Sequence, residues 1–172
     1  MPTDGSITLS PAAVWRNMQI LFAALAASLG IYGFVVYFLT SQSKEPPAPA
    51  GIMLPVFGVV ALGILGVSVV LKAKVMPPLS DERSDRPLDD VKPTPAESTA
   101  LSRLFTASIL SWSLSEAIGI LGLMLSFQTH DLNLYLPFVA LSAIGFGIHR
   151  PQREIVQRVL EAARNAPAPP TT

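Results

Sequence analysis

Residues 104–127 read LFTASILSWSLSEAIGILGLMLSF, a run in which Glu116 is the only ionisable side chain. A helix rises about 1.5 Å per residue, so a run of this length is long enough to cross the roughly 30 Å of hydrocarbon in a bilayer. Backbone amides in lipid must be paired within the segment, which leaves a helix as the expected structure. This stretch therefore predicts a membrane-spanning helix with one acidic side chain near its middle.

Three further apolar stretches lie at about 18–39, 51–71 and 132–148, and none of them contains Asp, Glu, Lys or Arg. The last is the shortest and lies at the lower edge of the length that a span requires. Only 14% of the 172 residues are charged, against about 25% in an ordinary soluble domain. We therefore expect an all-α integral membrane protein with four transmembrane helices. The alternative, buried helices of a soluble protein, would leave almost no amphipathic surface.

The basic residues indicate an orientation for these spans. Eleven of the twelve Lys and Arg residues flank the spans on one side, and only Lys44 lies on the other. Since cytoplasmic loops carry the excess of Lys and Arg, we predict that both termini and the central loop are cytoplasmic, in a bacterial inner (plasma) membrane. The alternative is a signal peptide cleaved near Ala48-Pro49-Ala50, but the first apolar stretch is too long for one.

The two halves of the chain resemble each other in an ordered series of positions. Each half opens with a hydroxyl residue, a proline and an alanine, at Ser10-Pro11-Ala12 and at Thr94-Pro95-Ala96, and Glu97 completes a capping box. A basic residue, a glycine pair and a Leu-Pro step follow in the same order in both halves. This order predicts two parallel-repeat helical hairpins, related by an axis along the membrane normal. Chance matches among common membrane residues are the alternative.

The predicted units of the chain follow from this division. Residues 1–74 form the first hairpin with its lead-in, and residues 94–150 form the second. Residues 75–93 are rich in proline and charge, so we expect a flexible cytoplasmic linker there. Residues 151–172 are expected to form a short amphipathic helix on the inner membrane surface, followed by a disordered, Pro-rich tail. The apolar face of this helix consists of Ile155, Val156, Val159 and Leu160.

Small side chains form a stripe on the first and third predicted helices. Steps of three and four residues keep them on one helix face, and small faces allow helices to approach closely in lipid. We expect the two helices to pack along these stripes; a cavity lined by the same residues is the alternative. The predicted packing residues are Ala26, Gly30 and Gly33 in the first helix and Ser115, Gly119 and Gly122 in the third.

Glu116 is the one candidate for a functional site. A charge at the bilayer centre costs at least about 2.5–3.5 kcal/mol, so an acid at that depth is expected to be neutral and to face the bundle. Trp112 and Ser113 lie one turn earlier and are the expected hydrogen-bond donors. The role is either ion or proton handling, or a structural hydrogen bond to a facing helix.

The segment around Glu116 resembles a known membrane helix. Residues 115–123, SEAIGILGL, resemble the carboxylate-bearing helix of rotary ATPase proteolipids, and residues 30–36, GIYGFVV, are similar but lack the acid. The resemblance implies an ion-carrying carboxylate at Glu116. It covers about ten residues, and the loop between the two helices concerned is far longer than in a proteolipid hairpin.

The sequence contains no other constellation of catalytic or ligating residues. It has no Cys, and His130 and His149 are expected on opposite membrane faces, so neither a metal site nor a cofactor is predicted. Zero net charge gives no electrostatic case for nucleic acid. We predict a small, non-enzymatic structural or accessory component that contacts the lipid bilayer and packs with itself or other membrane subunits. The alternative is a subunit of a proton or cation pathway that uses Glu116.

Overall fold

The computed structural model describes residues 10–43, 46, 48–75, 88 and 92–165. The helices are α1 (Pro11–Gln42), α2 (Met53–Val75), α3 (Pro95–Thr129), α4 (Tyr135–Ile148) and α5 (Arg153–Asn165), with a 3₁₀ turn at Leu132–Leu134. No strand occurs in these ranges, so the predicted all-α class is confirmed. Lys44, most of the predicted flexible linker and the predicted disordered tail from residue 166 onward lie outside the described residues.

The structure supports three to four membrane-spanning helices. α1, α2 and α3 are long and apolar enough to cross a membrane. α4 has 14 residues, about 21 Å of helix, which is short for the hydrocarbon core. A fourth span results if Leu132–Ile148 and α5, which are bent by 44° at the break between them, count as one. The predicted fourth span is thus the one that lies at the margin.

The two long helices begin where the sequence predicts. Ser10 caps α1, and its Oγ accepts from the amide of Ala13 at 3.2 Å. Thr94 caps α3 in a full capping box: its Oγ1 accepts from the Glu97 amide at 3.3 Å, and Glu97 Oε2 accepts from the Thr94 amide at 2.7 Å. A proline occupies the first turn of each helix, where a missing amide hydrogen costs nothing.

α3 is the central helix, and each of the other four helices packs against it. Along α3 the small side chains of Ser111, Ser115, Gly119, Gly122 and Ser126 are buried. Small residues let neighbouring helices approach from several directions, and this is why α3 rather than a bulkier helix occupies the centre.

α1 and α2 share no contact with each other among the described residues, whereas α3 and α4 pack directly. The chain that leads into α2 contacts the far end of α3 at Ala48. The amide of Ala48 donates to the carbonyl of Thr129 in the last turn of α3, at 2.8 Å, and so satisfies a carbonyl that the helix leaves unpaired. The predicted arrangement of two parallel-repeat hairpins is therefore not confirmed.

α5 covers the end of the bundle where the basic residues gather. Val156, Val159 and Leu160 on its apolar face are buried in a cluster that includes Met18 of α1 and Leu104 of α3. The predicted apolar face is therefore correct, but protein buries it. That face is not free to lie on a membrane surface, because α1 and α3 offer it a packed apolar partner.

Candidate functional site

Glu116 lies on α3 and faces α1. Its Oε1 is 2.6 Å from Ser28 Oγ and 2.8 Å from Tyr32 Oη. Ser28 and Tyr32 are four residues apart, so they lie on the same face of α1. The acid is half-buried at the seam between the two helices. It therefore has two hydroxyl partners on a neighbouring helix.

The contacts around Glu116 form a continuous series of short oxygen–oxygen distances. Three short contacts run from the Leu25 carbonyl oxygen to Ser28 Oγ, then to Glu116 Oε1 and then to Tyr32 Oη, at 2.6, 2.6 and 2.8 Å. Two oxygens this close need a hydrogen between them. The hydroxyls of Ser28 and Tyr32 supply one each. All three contacts can be hydrogen bonds at the same time only if the carboxyl group supplies the third hydrogen.

The two donors expected from the sequence lie elsewhere. Trp112 is fully buried, and its Nε1 donates to the carbonyl of His149 at 2.8 Å. Its ring packs edge-to-face on Phe22, with ring centroids 5.6 Å apart, and this contact holds the indole away from the acid. Ser113 is exposed. Neither residue forms the hydrogen-bonded cluster around Glu116.

Sequence reasoning missed Ser28 and Tyr32, although a signal was present. The two are spaced four residues apart in an otherwise apolar helix, and their hydroxyls lie on one face at a depth similar to that of Glu116. The sequence does not determine how α1 is rotated about its own axis relative to α3. Without that rotation, a local donor one turn away was the simpler expectation.

Large side chains of the neighbouring helices pack directly against the small residues of α3. A methyl group added at Gly119 would lie 2.5 Å from Leu29 Cδ2 of α1, and one at Gly122 would lie 2.5 Å from Phe138 Cβ of α4. Ser115 is fully buried, and its carbonyl accepts a hydrogen bond from Ser142 Oγ at 2.6 Å. These three predicted packing residues therefore lie at close helix contacts.

The small residues of α1 are less tightly packed than those of α3. Ala26 is half-buried against the apolar cluster, and a methyl group at Gly33 would lie 3.3 Å from the ring of Tyr135. Tyr135 Oη donates to the carbonyl of Leu29 at 2.8 Å. Gly30 is exposed, and a methyl group there would meet open space. The two stripes therefore do not simply face each other, because side chains such as Leu29 fill the small-residue face of α3.

Comparison with protein-family models, with curated proteins and with solved structures found no match for this chain. The resemblance of residues 115–123 to a proteolipid helix thus stands as a local likeness. The function has to be argued from the residues themselves.

The chemistry available at this cluster is that of one proton and two hydroxyls. Serine and tyrosine hydroxyls both donate and accept, so a proton on Glu116 lies within a continuous hydrogen-bonded chain. Among the described residues, no group of three His, Cys, Asp or Glu side chains is placed to hold a metal ion. The arrangement can therefore hold helices together or exchange a proton.

Proposed function

We propose that this chain is a small structural or accessory membrane protein that packs with itself or with a larger membrane complex. The observation that carries the proposal is that α1 supplies two hydroxyl partners for Glu116, because Ser28 and Tyr32 both bond its Oε1. A polar residue used in this way holds two helices together in lipid. Glu116 is then part of the protein's own packing, and neither a substrate nor an ion is needed to account for an acid at this depth.

Surfaces for lipid or for partner helices support the proposal. α1 and α2 expose large apolar side chains along much of their length, among them Ile31, Phe34 and Val59. At Gly30 of α1 and Gly63 of α2, an added methyl group would meet open space. A further helix can approach closely at such positions in a bilayer. These faces are where we expect other subunits, or a second copy, to pack.

A subunit of a proton or cation pathway is the second candidate, and one observation favours it. The chain of short contacts through Ser28, Glu116 and Tyr32 is continuous, and Glu116 is half-buried at a seam rather than enclosed. A proton can shift along hydroxyls arranged in this way. This candidate requires the carboxyl to release its proton during function.

Two substitutions at Glu116 separate these candidates. Gln keeps a carbonyl acceptor and adds an amide donor but has no carboxyl proton to release, so we expect Glu116→Gln to keep the stability of the purified protein. Glu116→Ala removes the link between α1 and α3, and we expect it to lower the free energy of unfolding by about 0.6–1.7 kcal/mol. Unfolding in detergent and proton flux into liposomes carrying an internal pH dye are the measurements.

Ser113→Ala is the matched control, because Ser113 is an exposed hydroxyl on the same helix. It should leave both stability and flux unchanged. If the native protein conducts protons into the liposomes and Glu116→Gln stops that flux, the accessory proposal is wrong and the pathway is supported.

We also propose that the protein lies in a bacterial inner membrane with both termini and the central loop in the cytoplasm. The support is the distribution of Lys and Arg, eleven of which flank the spans on one side. Contacts between Lys72 and the Ile148 carbonyl, and between Arg164 and Glu97, bring these basic flanks together at one end of the bundle.

A duplicated origin of the two halves is a further proposal. The support is the pair of observed helix starts, in which a hydroxyl cap precedes a proline at Ser10-Pro11 and at Thr94-Pro95. Residues 1–74 and 94–150 would then be repeats whose helix packing has diverged. In the second repeat α3 and α4 are in contact, whereas in the first repeat the described parts of α1 and α2 are not. Related sequences in which the two halves lack alignable caps and glycines would contradict this origin.

A further inference from the structure

A small cavity lies at the end of the bundle where the basic flanks meet, apart from the Glu116 cluster. It has a volume of about 30 Å³ and is partly open to the surface. Two of its lining residues are cations, and no carboxylate lines it. Its polar lining residues are Lys72, Ser108, Ser111, His149, Arg150 and Gln152.

His149, at this cavity, has one ring nitrogen without a partner among the described residues. Its side chain is 4% exposed, and its Nε2 is 2.9 Å from Ser68 Oγ, which lies 2.7 Å from the Leu65 carbonyl oxygen. Ser68 has one hydrogen, so both contacts are bonded only if Ser68 donates to Leu65 and His149 donates to Ser68. Nδ1 is then a bare acceptor. A buried acceptor without a donor is costly, so the described part of the chain leaves this end of the bundle with one unsatisfied polar group.

The positive charge at this site comes from the neighbours of the imidazole. Burial lowers the pKa of His149, and the ammonium of Lys72 lowers it further, so the ring is neutral near pH 7. Lys72 is held in place because its Nζ donates to the Ile148 carbonyl at the end of α4. Two of its hydrogens stay available for a ligand. Arg150 follows His149 directly and is exposed beside the cavity.

We propose that this pocket binds the headgroup of an anionic phospholipid, with the phosphate at its mouth between Lys72 and Arg150 and a headgroup hydroxyl inside the polar cavity. The cavity exceeds the roughly 10–15 Å³ that one water molecule needs, so it admits a headgroup hydroxyl. Basic pockets between transmembrane helices on the cytoplasmic side are sites where anionic headgroups bind.

The apolar part of the lining selects a lipid over free phosphate. Met18 of α1, Leu104 of α3 and Ile155 of α5 line the same pocket. An inorganic phosphate would gain nothing from them, whereas the glycerol and upper acyl carbons of a lipid would bury apolar surface there. The inference depends on the membrane location of the helices, and it goes beyond the proposed accessory role.

Lipid binding to the purified full-length protein tests the proposal, with native mass spectrometry as the readout. Phosphatidylglycerol and phosphatidylmethanol carry the same charge, but only the first has headgroup hydroxyls. We expect phosphatidylglycerol to bind several-fold tighter, and phosphatidylcholine to bind weakly. Lys72→Gln and Arg150→Gln should each weaken phosphatidylglycerol binding about fivefold, the effect of one basic residue near an anionic headgroup.

Lys74→Gln is the matched control, since Lys74 carries the same charge on α2 but does not line this cavity. It should leave the affinity unchanged. Equal binding of phosphatidylglycerol and phosphatidylmethanol by the native protein would overturn the placement of a headgroup hydroxyl inside the cavity. An equal loss in all three charge variants, or displacement of the lipid by millimolar inorganic phosphate, would overturn the specific lipid site.

Discussion

At the scale of single residues, hydroxyl groups link the helices. Tyr32 reaches Glu116 from α1, Tyr135 reaches the Leu29 carbonyl from α4, and Ser142 reaches the Ser115 carbonyl. In hydrocarbon an unpaired polar group is costly, so each hydroxyl fixes the rotation of the helix that carries it.

The contribution of Tyr32 can be measured by removing only its hydroxyl. We expect Tyr32→Phe to lower the free energy of unfolding in detergent by about 0.6–1.7 kcal/mol, because Glu116 loses one of its two partners. Tyr37→Phe is the control, since Tyr37 is an exposed tyrosine on the same helix. Equal melting temperatures for the native protein and Tyr32→Phe would argue against a linking role.

His149 predicts a pH dependence of stability. Burial and Lys72 lower its pKa in the folded protein below the ordinary value near 6.5, so unfolding takes up a proton below that pH. The stability that this residue contributes is therefore present above about pH 6.5 and declines as the pH falls, by at most about 1.4 kcal/mol per unit. Denaturation measured from pH 8 to pH 5 should show this slope, which His149→Gln should reduce.

His130→Gln is the control for that experiment, because His130 lies at the opposite end of α3. It should keep the slope of the native protein. A slope that is the same in His149→Gln would mean that other groups cause it.

At the scale of elements, the composition of α3 determines the packing. Its glycines and serines are too small to fill the space around them, so side chains from α1 and α4 occupy it. α2 also contains glycines, but a methyl group added at Gly58, Gly63 or Gly66 would meet open space. Glycine therefore has a packing role in α3, whereas a methyl group added at these glycines of α2 would meet no neighbour.

Gly122→Ala tests the close contact between α3 and α4. The added methyl group would lie 2.5 Å from Phe138 Cβ, so α4 must move away. Overpacking of this kind typically costs about 1–3 kcal/mol, which a shift in the denaturation midpoint would show. Gly63→Ala is the matched control, and its midpoint should not fall. A Gly122→Ala variant as stable as the native protein would mean that the contact relaxes freely.

The ion pair between Arg164 and Glu97 attaches the end of α5 to the start of α3. Glu97 is buried, and it also closes the capping box of α3. We expect Arg164→Gln to loosen α5 without unfolding the bundle, and so to speed amide exchange in residues 160–165. Arg153→Gln, an exposed arginine at the other end of α5, should not change that exchange. Equal exchange in both variants would show that apolar burial alone holds α5.

At the scale of the whole molecule, the chain brings its basic flanks to one end. A shared apolar cluster and the lipid pocket proposed above lie at this end. They bring together the start of α1, the end of α2, the start of α3 and α5. The opposite end carries the loop that connects α1 to α2 and contacts Thr129. The concentration of basic residues at one end of the bundle predicts a single orientation in the membrane.

The orientation can be tested by labelling, because the chain contains no cysteine. Ser41 at the end of α1 and Thr99 at the start of α3 are both exposed and lie at opposite ends of the bundle. A maleimide that does not cross membranes should label Ser41→Cys in intact cells and Thr99→Cys only in inverted vesicles. The reverse pattern would contradict the predicted cytoplasmic termini.

The sequence alone determined the features that depend on neighbouring residues. The all-α fold class follows from the length and apolarity of the helical stretches. The starts of α1 and α3 follow from their caps, and the apolar face of α5 follows from the spacing of its apolar residues. All of these are local properties of the sequence. The position of Glu116 within its helix is local in the same sense. The small-residue face of α3 was also readable, because steps of three and four place residues on one side of a helix.

Only the tertiary structure decided which helices touch and which groups meet. It separated α1 from α2, placed Ser28 and Tyr32 beside Glu116, buried the apolar face of α5 against protein and directed Trp112 to the carbonyl of His149. These outcomes depend on the rotation and order of whole helices, which side-chain fit across large sequence separations selects. In lipid no hydrophobic force between helices favours one partner over another, so the fit of small faces to large side chains makes that choice.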